Sequence, residues 1–135
     1  MTPEKSRQSV VDVLSSTIAE LGTEGWSPFD DLGIEDCTLK DGETGVTFVG
    51  DTTGPGADPE STIATVEAHW TSLGMVTRTV EASSPDDTLI RLYGEAGPLE
   101  GIVLYADIDQ TVIEAESLCA VGDASEIIDT ENPDP

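Results

Sequence analysis

A chain of 135 residues with 28 acids against five lysines and arginines carries a formal charge of −23. So few bases cannot neutralise a run of phosphates, which excludes nucleic-acid binding through a basic patch and disfavours an anionic membrane surface. The length suits one domain, and with two Phe, two Tyr and two Trp its core has to be mostly aliphatic.

Thr2 is a good N-cap and Pro3 suits a first helical turn, which predicts a helix over 3–21 ended by Gly22. Its apolar stripe reads Val10, Val11, Leu14, Ile18 and Leu21. The polar run Ser15-Ser16-Thr17 lowers intrinsic propensity, so this helix depends on packing. Residues 23–33 are turn-rich, and Trp26 and Phe29 are expected to anchor the helix against a sheet. Two strands, 34–40 and 44–51, flank the hairpin signal Asp41-Gly42, and residues 52–57 read as a loop. Alternation places Cys37 with Leu39 on one face of the first strand and Asp36, Thr38 and Lys40 on the other.

The stretch 58–82 is the plainest unit. Asp58 caps a helix, Pro59 opens it, and Ile63, Val66, Trp70 and Leu73 make a stripe about 80° wide. Gly74 stops it, and residues 75–82 follow with β-branched alternation. Turns at 83–87, 95–98 and 107–110 separate further strands at 88–94, 101–106 and 111–119, giving an antiparallel meander. The expected fold is α+β, with two helices packed on one face of a mostly antiparallel sheet in the order α-β-β-α-β-β-β-β. Residues 1–119 form the domain. Residues 120–135 read as an acidic disordered tail, with Asp123, Glu126, Asp129, Glu131 and Asp134 and no base.

Most of the acids lie before that tail, so the acidity belongs to the domain. It reads as solubility for a secreted protein, as adaptation to high salt, or as a surface that mimics nucleic acid or docks on a basic partner. The longest apolar run, Gly101 to Ala106, is far too short to span a bilayer. Met1 followed at once by Thr2-Pro3-Glu4 reads as a start just before a helix, so an export signal is expected to lie outside this sequence. Cys37 and Cys119 have no metal-ligand spacing and no histidine nearby. They form either two buried thiols or a bridge closing a long loop, and a bridge implies an oxidising compartment.

Ile102 to Thr111 resembles the first motif of haloacid-dehalogenase-type phosphotransferases, a hydrophobic strand ending in D-x-D-x-T. The resemblance implies Asp107 as nucleophile, Asp109 as general acid, Thr111 on phosphate and a bound Mg²⁺. In that family the motif opens a doubly wound domain with a lysine downstream; here it lies near the C-terminus with no lysine after it. A hairpin turn accounts for the same letters.

The other polar clusters read as surface. His69, the single histidine, falls at the edge of its helix's apolar stripe with no second group to make a catalytic pair. Asp30-Asp31, Glu35-Asp36 and Asp86-Asp87 lack calcium-loop spacing. Glu114 and Glu116 share the outer face of their strand, with Ile113, Ala115 and Cys119 pointing inward. Arg78 and Arg91 are expected in cross-strand pairs. No metal site and no cofactor are expected.

Laid end to end, the helix followed by Gly22 and Trp26, Cys37 on the next strand, His69-Trp70-Thr-Ser-Leu-Gly74 before a strand, and Cys119 closing the last one resemble small secreted proteins and lipoprotein ectodomains of high-GC Gram-positive bacteria. That resemblance implies export, one α+β domain and a Cys37–Cys119 bridge, although no lipobox cysteine lies near the start. The functional expectation is an exported, non-enzymatic binding or structural protein of the cell envelope, with an unidentified protein partner. The alternatives are an acidic inhibitor or nucleic-acid mimic docking on a basic protein, and a Mg²⁺-dependent phosphohydrolase at Asp107 and Asp109.

Overall fold

Local capping chemistry sets both helices. In the computed structural model, which describes residues 2–29, 31–82, 84 and 86–122, helix α1 spans Pro3–Leu21 and the Thr2 side chain accepts the Lys5 N–H. Helix α2 spans Pro59–Ser72, with the Asp58 carboxylate accepting the Ser61 N–H. Gly74 sits at φ 89°, where an L side chain would be strained. The α1 stripe differs from the expected one. Ser6, Val10, Val13, Leu14, Thr17 and Ile18 are buried, whereas Val11 and Leu21 are only half-buried. The stripe is shifted because a polar residue fills the centre of the contact. The Thr17 hydroxyl donates to the Val13 carbonyl and accepts the indole N–H of Trp70 at 3.0 Å.

The strands are β1 (Gly33–Thr38), β2 (Thr44–Pro55), β3 (Val76–Val80), β4 (Ile90–Glu95), β5 (Leu99–Ala106), β6 (Gln110–Ser117) and β7 (Ala120–Val121). They form one antiparallel sheet in the order β1-β2-β6-β5-β4-β3, with β7 beside the start of β2. The α+β class, the element order and the meander from β3 to β6 are as the sequence predicts. Residues 52–55 are strand rather than loop, because β6 supplies them partners from Thr52↔Ile113 to Pro55↔Gln110. Trp26 anchors this extension. Its ring lies so close to Gly54 that a Cβ there would fall 2.3 Å from it, and its Nε1 donates to the Gly22 carbonyl.

Both helices lie on one face of the sheet. Val10, Leu14, Val66 and Trp70 meet Phe48, Leu92, Leu104 and Ile113 there, all essentially inaccessible to solvent. Among the described residues every buried side-chain nitrogen and oxygen has a hydrogen-bond partner. The folded unit runs past Cys119: Ala120 is fully buried opposite Val46, so the boundary at 119 moves outward by the length of β7. The expected disorder from 123 onward lies outside the described residues.

Cys119 is the second correction. Strand β6 breaks after Ser117, and the two-residue step Leu118-Cys119 shifts the alternation. Ala120 points to the helices and Cys119 to the opposite face, where its Sγ lies beside Gly45. Ser117 holds the break by accepting the Phe48 N–H, and Ser6 reaches the Leu118 carbonyl from α1. There Cys119 bonds to Cys37 across 82 positions, tying β1 to β7. The bridge fits an oxidising, extracytoplasmic setting. No helix among the described residues is long and apolar enough to cross a membrane.

Candidate functional site: the uncovered sheet face

Among the described residues the helices leave the other face of the sheet bare. Register places Val49 and Asp51 of β2 beside Glu116 and Glu114 of β6. Gly101 and Val103 of β5 lie opposite Glu116 and Glu114, with Tyr105 opposite Val112; beyond them come Arg91 and Tyr93 of β4, then Val80 and Arg78 of β3. An antiparallel sheet tolerates one wet face, yet this one is hollowed into a groove of about 990 Å³. Gly33 and Gly101 help to form it by contributing no side chain to the outer surface. A Cβ placed at Gly101 would meet nothing nearer than 3.9 Å.

The face is polarised. On the β1–β2–β6 side the groove is lined by Glu35, Asp51, Glu114 and Glu116, with Asp31 and Glu100 also in its lining, and a single acid, Glu95, lines it on β4. On the β4–β3 side the Arg78 guanidinium lies 4.6 Å from the centroid of the Tyr93 ring. The Arg91 guanidinium is 6.0 Å from that of Tyr105. The expected cross-strand pairs are therefore formed with tyrosines, at contacts of cation–π range. Burial, reinforced by the Glu114 charge, raises the Tyr105 phenol above its ordinary pKa; Arg91 acts in the opposite sense. Burial first, then the charges of Glu100 and Glu35, raise the Glu116 carboxyl above the usual carboxylate range. These carboxylates thus face one another across a partly desolvated strip.

Other expected residues lie elsewhere. Asp107 and Asp109 sit in the tight turn between β5 and β6. The Asp107 carboxylate accepts the Thr88 hydroxyl and the Ile108 N–H, and its backbone N–H donates to the Gln110 carbonyl. Thr111 is buried on the helix side and donates to the Pro55 carbonyl. Glu114 and Glu116 are on the outer face, as alternation predicts. No group of three His, Cys, Asp or Glu placed to hold a metal ion occurs among the described residues. Asp30 of the acidic pairs is outside them.

The fold also assembles a trio that the sequence does not reveal. Ser16 Oγ lies 2.8 Å from His69 Nε2, and His69 Nδ1 lies 3.7 Å from Glu20 Oε1. Serine, histidine and acid in that order have the connectivity of a nucleophilic triad. Ser16 sits in the middle of α1, however, where neighbouring N–H groups are spent within the helix and leave no oxyanion donors beside it. The trio ties α1 to α2. Its signal was invisible because the crossing of two helices, not spacing, brings position 16 to position 69.

No protein-family model matches the chain, and no curated protein matches it. Among solved structures the fold is similar to that of a DUF4853 family protein from Actinomyces odontolyticus, with TM-score 0.67 over 91% of this chain and 71% of that one, at 14% identity. That neighbour comes from a high-GC Gram-positive genus, and what the two chains share is the fold.

Proposed function

We propose that this chain is an exported, non-enzymatic binding protein of the cell envelope that holds a protein partner on the uncovered face of its sheet. One observation carries the reading: both tyrosines of the chain and two of its five bases stand on that face. Tyrosine and arginine are among the residues most enriched where proteins bind one another. Two of the exposed large hydrophobics, Val76 (65% exposed) and Val121 (66%), share the face with them. The disulfide supports export.

A photo-crosslinking residue at Val103, in the middle of the groove, tests the reading in the producing cells. The same residue at the exposed Ala64 on α2 is the control. The expected result is a discrete crosslinked protein from position 103, recovered with the envelope or the medium and lost in Gly101→Leu, whose new side chain would occupy the groove. Equal products from both positions, or none from 103, would remove the proposal.

A further inference from the structure

The shape and charge of the groove narrow the partner. Resting on the proposal that this face binds a protein, we infer that it takes an extended cationic segment of another protein. The lysines or arginines of that segment lie over Glu35, Glu114 and Glu116, and its apolar positions over Val49, Val103 and Tyr93.

The groove is lined by residues of six strands, β1 to β6. The five strands from β2 to β3 lie at about 4.8 Å spacing, so crossing them takes roughly 19 Å, the length of about six residues of extended chain. Arg78 is the one base among the described residues that line it, and its guanidinium is stacked on Tyr93. Of the other four bases, Arg91 lies against Tyr105 outside the groove's lining, Lys5 and Arg7 belong to α1, and Lys40 to the turn after β1. The carboxylates of the β2–β6 side are therefore left without an internal cation in the groove. Their crowding is visible at Glu116, which is disfavoured as an anion by burial and by Glu100 and Glu35. An approaching ammonium or guanidinium relieves that repulsion; a neutral chain does not.

Charge also rules against the other occupants. A second copy brings another net −23. The residues after Gly122 carry five acids and no base, so the chain's own end is repelled from the acidic side, as are nucleic acid and an anionic bilayer.

The test uses the full chain and three ten-residue probes in which threonine alternates with lysine, serine or glutamate, near physiological salt so that long-range attraction is screened. Calorimetry gives affinity, and amide chemical shifts give the place. The lysine peptide is expected to bind alone, with shifts confined to the strands that line the groove, β1 to β6, and absent from α1 and α2. Glu114→Gln with Glu116→Gln should weaken it by about tenfold or more. Glu4→Gln with Glu60→Gln, which removes the same charge from the helical side, should weaken it less than about twofold. Gly101→Leu, a second and independent block, should abolish it while the dichroism spectrum stays unchanged.

Equal weakening by the two glutamine pairs, shifts spread over α1 and α2, or equal binding of the serine peptide would overturn the inference. Absence of lysine-peptide binding while the position-103 crosslink persists would overturn it too, and would leave the binding face standing. Loss of both would remove the underlying proposal.

Discussion

Reduction of the Cys37–Cys119 bridge is the perturbation whose size follows most directly from the structure. The bridge closes a loop of 82 positions, and the chain-entropy relation gives a contribution of about 4.5 kcal/mol at room temperature. Two features of the fold set how that loss is expressed. Cys37 sits on the edge strand β1, whose one strand neighbour is β2. Cys119 precedes the two-residue strand β7, the last structured element among the described residues. Once reduced, β7 can fray without disturbing the helices, so 4.5 kcal/mol is a ceiling. Urea unfolding of the oxidised chain, and of the double variant Cys37→Ser with Cys119→Ser, measures it. With a slope of roughly 1.5 kcal/mol per molar, the midpoint should fall by up to about 3 M. Amide exchange should accelerate first at Gly45, Val46 and Ala120. A midpoint shift below about 0.5 M, with unchanged exchange at those three positions, would refute the claim that the bridge constrains this sheet.

Four further outcomes are expected. Ala96, at φ 67° beside Gly97 at φ 66°, occupies a turn that favours Asn-Gly, so Ala96→Asn should stabilise the fold by about 1 kcal/mol and raise the melting temperature by about 4 °C. Thr17→Val leaves the buried Trp70 indole N–H without its acceptor and should cost about 1–3 kcal/mol in urea unfolding. For Glu116 the sign runs opposite to that of most carboxylates. Its folded-state pKa is raised, so it favours the fold while protonated and loses that contribution as pH rises from the ordinary carboxylate range through the raised value. Glu116→Gln should therefore move the urea midpoint upward at pH 7 and leave it unchanged at pH 3. With Mg²⁺ and p-nitrophenyl phosphate, the wild type and Asp107→Asn should both give the uncatalysed rate; turnover present in one and absent in the other would replace the binding reading with a phosphohydrolase.

How much of this was legible depended on how local each signal was. Thr2 and Asp58 as caps, Gly22 and Gly74 as stops, and Asp41-Gly42 as a turn each act within a few residues, and each is where the sequence puts it. The misreadings all involve distant partners. Residues 52–55 look like a loop until β6 pairs with them. Thr17 looks like a weak point in α1 until Trp70 supplies its hydrogen bond. Cys119 appears to point inward until the break after Ser117 turns it over. The same limit hid Ser16, His69 and Glu20, whose meeting depends on how two helices cross.

The uncovered face was half legible, and the missing half matters most. Period two places Arg91 and Tyr93 on the side opposite Leu92, and Glu114 and Glu116 opposite Ala115. It cannot say that Tyr93 faces Arg78 or that Asp51 faces Glu114, which are properties of register. An exposed sheet face by itself calls for no partner, and scattered surface charge explains solubility equally well. Scatter would not gather both tyrosines there and stack guanidiniums on them. Nor would it leave the carboxylates on the other side, crowded enough to shift Glu116, with no base among them in the groove. Solubility alone would have been served better by seating Arg78 and Arg91 among those acids. Their placement leaves the β4–β3 side of the groove with Tyr93, Arg78 and one acid, Glu95, and, among the described residues, the β1–β2–β6 side with carboxylates as its only charged groups, an asymmetry that supports the proposal of a partner chosen by both shape and charge.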